Sequence, residues 1–225
     1  MPRQMVFDLP VRQARGREDF FVAPANALAL ATLDAPEAWP AGRMLLIGPE
    51  GAGKSHLAAI WAEDQGGAPV LAARALCDAD APRLALAGAA VIEDVQQLAG
   101  QAAGEEALFH LVNLCAAEGA RLLMTSDAPP RDWGLALPDL RSRLEATAAV
   151  RIAPPDEALL AAVLVKLFAD RQMVVPQSLI SWLVTRMDRS LGQARRLVEA
   201  LDARALAEGR AITRTMAAEV LDTLV

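Results

Sequence analysis

The stretch GPEGAGKS, Gly48 to Ser55, constrains the fold more than any other feature of the chain. It satisfies the pattern GxxxxGK[ST] in full, directly follows the apolar run RMLLI (Arg43 to Ile47) and opens a helical pattern. Such a loop cradles phosphate only when a strand delivers it and a helix N-terminus leaves it, because successive backbone N–H groups and the helix dipole must face one anion. The glycines let the backbone curl, Lys54 is placed to reach β and γ oxygens, and the Ser55 hydroxyl can join Mg2+. The expected fold is therefore α/β, built on a parallel sheet.

The rest of the chain agrees with that expectation. Short apolar runs alternate with helical patterns: APVLAA (Ala68 to Ala73), AAVIED (Ala89 to Asp94), RLLMTS (Arg121 to Ser126) and AAVRI (Ala148 to Ile152) read as four further strands. Helices are expected over Lys54 to Gln65, over Glu105 to Glu118 with Gly119 as its stop, and briefly after Pro138. This alternation implies five parallel strands with helices on both faces. At APPDE, Ala153 to Glu157, the pattern changes: two prolines end the last strand, Asp156 can cap a helix, and no strand candidate follows. Helices near Glu157, at Pro176, at Ser190 and after Thr213, with Gly209 as a stop, give a small all-helical companion.

Length and charge narrow the function classes. At 225 residues the chain can bury a large core. Its hydrophobic fraction is 54% and its mean hydropathy +0.25, yet the richest run, ALLAAVLVKLFA, is broken by Lys166 and falls short of the ~20 apolar residues of a membrane span. A soluble protein is expected, with no membrane partner. The start carries no secretory pattern, and Cys77 and Cys115 lie far apart with no CxxC spacing, so neither export nor a disulfide framework nor a metal cluster is expected. The expected address is the cytoplasm. A net charge of -6 disfavours a protein whose main task is to coat nucleic acid. One oddity remains: RQMVFDLP, Arg3 to Pro10, places Met5, Val6, Phe7 and Leu9 near a chain end, where apolar residues need a partner surface.

A phosphate loop of this kind needs an acid on a neighbouring strand, and VIED supplies Glu93 and Asp94. The first would hold Mg2+, directly or through water; the second would orient or deprotonate an attacking water. Glutamate in the first place is longer by a methylene than aspartate, and Mg2+ tolerates poor geometry badly. Weak or no turnover in the chain's own site follows.

In this order and at about this spacing, GKSHL, VIEDVQQLAG, EEALFHLVN, MTSDAPP and LPDLRSRLE resemble the AAA+ domain of the bacterial replication initiator DnaA, from about residue 20 onward. No initiator-type N-terminal helical domain or helix-turn-helix module is recognisable, an outline similar to the Hda-type regulatory homologues of DnaA. That resemblance implies a clamp-docking tail over residues 1–20, an AAA+ base over 21–154 and a helical lid over 155–225. It implies ADP or ATP with Mg2+ as cofactors. Gly48, Gly51, Ala52, Gly53, Lys54, Ser55, His56 and the sensor residue Arg195 would bind the nucleotide, and Ser55 and Glu93 the metal. It also implies that Gln4, Met5, Phe7 and Leu9 dock on the sliding clamp. Arg143, with Arg141 as an accessory, would be presented to ATP on DnaA, and Asp127, adjacent to Ser126, would sense the γ-phosphate. The implied function is stimulated hydrolysis of DnaA-bound ATP, with homo-oligomers as a further assembly and DNA met only through the clamp. An autonomous AAA+ ATPase acting on single-stranded DNA, as a helicase loader or transposase helper, is the alternative. His110 reads as a helix-packing residue.

Overall fold

A computed structural model describes residues 16, 17 and 20–224 of the chain. In order, it contains α1 (Ala27–Leu33), β1 (Arg43–Ile47), α2 (Lys54–Asp64), β2 (Val70–Ala72), α3 (Ala81–Leu86), β3 (Ala89–Glu93), α4 (Ala102–Glu118), β4 (Arg121–Ser126), α5 (Pro138–Glu145) and β5 (Ala149–Arg151). Four helices follow: α6 (Glu157–Asp170), α7 (Gln177–Val184), α8 (Leu191–Glu208) and α9 (Arg214–Thr223). The strands form one parallel sheet in the order β2-β3-β4-β1-β5.

Burial on both faces explains why the central strands read as unbroken apolar runs rather than as alternating ones. Leu45, Ile47, Ile92, Leu122 and Met124 point into a core closed by α3, α4 and α5. Their neighbours Met44, Leu46, Val91, Leu123 and Val150 point the other way, against α1 and α2, where Trp39 and Trp61 stack at 5.1 Å. Each fully buried large aliphatic side chain contributes roughly 1.5–3 kcal/mol relative to exposure. The central strands β1 and β4 span the expected residues, whereas both edge strands are three residues long and shorter than their apolar runs. An edge strand has one neighbour to bond, and at Ala73 the chain turns instead into a 3-10 segment that buries only Ala73 and Leu76.

The helical part has a core of its own. Leu160, Leu164 and Phe168 of α6, Leu183 of α7, Leu197 and Leu201 of α8 and Met216 and Val220 of α9 pack together. Asp156, Ser190 and Thr213 cap their helices through their side chains, and Gly119 and Gly209 end theirs in the left-handed conformation. Pro176 stands as the extended N-cap, one residue before α7 begins. Helices α1 and α3 carry no strong sequence signal. Among the described residues, no helix is long and apolar enough to cross a membrane.

Candidate functional site

The phosphate loop leaves the carboxyl end of β1 and turns into α2 through Gly51 and Gly53, both at positive φ (+73° and +104°). Among the described residues, the N–H groups of Gly51, Gly53, Lys54 and Ser55 donate to no protein acceptor, as the first turn of a helix requires unless an anion or a cap arrives. The loop is walled closely. A Cβ on Gly48 would lie 2.2 Å from Ile152 Cγ2 and one on Gly51 would lie 1.9 Å from Ser190 Oγ. Ala52 is buried beside them, Ser55 is exposed, and His56 is half-buried with Phe20 edge-on to its ring at 5.4 Å.

Lys54 is the charge at the centre of this loop. Buried, it donates from Nζ to the carbonyls of Gly48 (2.7 Å) and Pro49 (3.1 Å). Burial lowers its pKa, and the carboxylates of Asp94, Asp127, Glu50 and Glu93 oppose that shift. The fold thus sets around one ammonium group Glu93 at the end of β3, Asp94 just past it, Asp127 after β4 and Glu50 of the loop. Glu93 has a buried Oε1 without a hydrogen-bond partner. Asp94 is held in the left-handed region (φ +57°), its N–H donating to Thr125 Oγ1 at 3.0 Å. At the end of β4, Ser126 is fully buried and donates to Ala128 O, whereas the adjacent Asp127 is exposed.

The donor set fits a nucleotide phosphate. For Mg2+ the fit is narrower: among the described residues no group of three His, Cys, Asp or Glu side chains could hold a metal. Ser55 and Glu93 would have to share the ion with phosphate oxygens, as is usual for Mg2+.

Helix α8 closes on the loop. Leu191 N donates to Gly51 O at 2.7 Å, and Arg196 brings Nη1 to 4.0 Å from Glu50. Arg195 lies half-buried one residue earlier on the same helix. Ser190 and Leu191 are contacts of the loop that the sequence pattern did not single out. Nor did it single out Asn26, whose side chain bonds Ala23 N and Phe21 O and so shapes the segment beside His56.

Arg141 and Arg143 stand elsewhere. The helix that carries them, α5, runs into β5 at the amino edge of the parallel sheet, whereas the loop leaves β1 at the carboxyl edge, a strand length of about 15 Å away. Both arginines are exposed, and among the described residues neither pairs with a carboxylate. Gln4, Met5, Phe7 and Leu9 lie outside the described residues.

No family model matches the chain. A solved structure similar to it is domain III of the replication initiation protein DnaA of Thermotoga maritima: TM-score 0.77, 20% identity, covering 96% of this chain and 99% of that one. The fold is that of a DnaA-like AAA+ domain. A replication initiator DnaA bound to AMPPCP and single-stranded DNA is similar over 85% of this chain and 67% of that chain, with TM-score 0.69 and 18% identity. In sequence, the chain is 29% identical over 134 residues, 60% of its length, to the chromosomal replication initiator protein DnaA of Enterococcus faecalis. The match spans about 30% of the length of that curated relative.

Within this fold, Glu105 is a further residue the sequence did not announce. It is 1% exposed, and its carboxylate accepts N–H bonds from Gly100 (2.7 Å), Ala136 (3.0 Å) and Leu137 (2.6 Å). One side chain of α4 therefore fixes both the turn after β3 and the start of α5.

The tight wall at Gly48 makes a direct prediction. Gly48→Ala would drive a methyl group to 2.7 Å from the Ile152 carbonyl oxygen as well as into its side chain. The expected cost is about 2 kcal/mol, which for a chain of this size lowers the thermal midpoint by about 4–8 °C. Thermal unfolding followed by circular dichroism checks this, and a midpoint within about a degree of wild type would contradict the packing described here.

Proposed function

We propose that this chain is a nucleotide-bound regulator of replication initiation that lends Arg143 to ATP held by DnaA, and so turns DnaA-ATP into DnaA-ADP. What carries the reading is the position of Arg143: exposed, without a carboxylate partner among the described residues, and at the sheet edge opposite its own phosphate loop. An arginine placed there is out of reach of a phosphate in the chain's own loop and open to one on another molecule. The DnaA-like fold and the distant sequence relation to DnaA make an AAA+ initiator the natural recipient.

Each side chain then has a task. The loop N–H groups of Gly51, Gly53 and Lys54 hold the phosphates of ADP or ATP, and Lys54 exchanges its bonds to Gly48 O and Pro49 O for phosphate oxygens. Ser55 and Glu93 would hold Mg2+, which supplies charge neutralisation between phosphate oxygens when bound. Asp94 is placed to orient a water, Asp127 to sense the outermost phosphate, and Arg195 and Arg196 to bring α8 onto the nucleotide. Delivery falls to Gln4, Met5, Phe7 and Leu9, which dock the chain on the DNA-loaded sliding clamp. Several equivalent grooves on a ring-shaped clamp raise the local concentration of a weakly held tail.

The test is hydrolysis of labelled ATP on DnaA in the presence of clamp loaded on DNA. The full chain is expected to accelerate it, and a version lacking residues 1–10 to do so only at much higher concentration. Absence of acceleration by the full chain would remove the proposal. DNA-stimulated hydrolysis by the chain alone would point instead to the autonomous ATPase.

A further inference from the structure

The guanidinium of Arg143 lies over the ring of Phe109, with Cζ 5.4 Å from the ring centroid. Phe109 belongs to α4, is half-buried and packs against the core that Leu140 and Leu144 of α5 enter. Four residues earlier on α4 stands Glu105, which holds the N–H groups of Ala136 and Leu137 at the start of α5. Residues four apart share a helix face, so one face of α4 holds both the lead-in to α5, Ala136 and its N-cap Leu137, through Glu105, and Arg143 in its last turn, through Phe109.

The electrostatics around Arg143 favour this support. Arg43, at the start of β1, is buried with an unpartnered Nε, and its pKa is lowered first by burial and then by the charge of Arg143. Two guanidinium groups near one another repel, and a carboxylate between them would neutralise Arg143 and compete with any phosphate. An aromatic face attracts the cation while leaving its N–H donors open.

We propose that Phe109 is a positioning residue for Arg143, a platform that holds the guanidinium extended and unneutralised for the phosphate of a second AAA+ module. It rests on the reading of Arg143 given above. Phe109→Leu removes the π face and keeps the apolar packing; Phe109→Met is the second variant should the first fail to fold, and Phe109→Tyr restores the ring.

Two measurements on the full chain decide it. In arginine-labelled protein, the Arg143 side-chain resonances, assigned by their loss in Arg143→Lys, are expected to be ring-shielded in wild type and Phe109→Tyr and unshielded in Phe109→Leu. In the hydrolysis assay with DnaA-ATP, Phe109→Leu is expected to lower the maximal rate about threefold, the weight of an exposed cation–π contact. The half-saturating concentration should be unchanged and Phe109→Tyr should recover the rate. In an Arg143→Ala background, Phe109→Leu should change nothing further, whereas a merely structural role would still lower the rate. Resonances that do not move, or a Phe109→Leu rate equal to wild type while Arg143→Ala is inactive, would overturn the platform and leave the reading of Arg143 standing. An Arg143→Ala rate equal to wild type would overturn both.

Discussion

Arg143→Ala is expected to slow the stimulated hydrolysis of DnaA-bound ATP by at least about a hundredfold while leaving the fold intact. An arginine supplied from a second subunit spreads positive charge over the loose transition state of phosphoryl transfer, an effect of about 10^3 to 10^5 in rate. Stability should change by less than about 0.5 kcal/mol, the usual size for an exposed residue away from buried networks. Arg143→Lys should not restore the rate, because an ammonium cannot offer the planar pair of donors that a phosphate takes from guanidinium. Arg141, equally exposed but without the aromatic support of Phe109, should cost only a few-fold on replacement by alanine. Single-turnover hydrolysis with loaded clamp reads all three variants, and retention of the wild-type rate by Arg143→Ala would refute the assignment.

The parts of this architecture that the sequence made legible are those in which local chemistry and burial agree. The phosphate loop is the clearest case, since Gly51 and Gly53 at positive φ and a lysine opening α2 are all required by one motif. The cap Asp156 was legible because a short polar side chain before an apolar period has few other uses, and the helix starts at Ser190 and after Thr213 likewise coincide with side-chain caps. Edge strands are shorter than their apolar runs, because a run such as 68–73 cannot tell strand pairing from the start of a 3-10 turn that buries only Ala73 and Leu76. Glu105 was missed for a different reason. On sequence it reads as one of two ordinary glutamates near a helix start, but α4 begins at Ala102, a turn earlier. Two of its three partners are backbone N–H groups about thirty residues away, which leave no trace in residue type. Phe109 and Arg143 are likewise brought together only by the packing of α4 against α5.

Glu105→Gln should be the most destabilising polar substitution of the base, costing about 3 kcal/mol at neutral pH. A hydrogen bond to a charged group contributes about 1.5–3 kcal/mol, and this carboxylate accepts three of them while 1% exposed. Glutamine keeps the volume but turns an NH2 group toward at least one backbone N–H, so that donors face each other. The dependence on pH has a definite sign. Burial raises the carboxyl pKa, the N–H groups of Ala136, Leu137 and Gly100 lower it, and the net effect is a value below the ordinary 4.5. The ionised form therefore stabilises the fold fully above the unfolded-state value, and that contribution is lost as pH falls through the lower folded value. Urea unfolding should show a large gap between wild type and Glu105→Gln at pH 7 that narrows once the pH drops below about 4. Hydrogen exchange offers a local check, because the amides of Ala136 and Leu137 should lose protection in the variant before those of the sheet do. A gap that stays constant with pH would mean that shape, not charge, is what Glu105 contributes. The start of α5 would then be held by packing of Leu140 and Leu144 alone, and Arg143 would be aimed by its own helix rather than by α4.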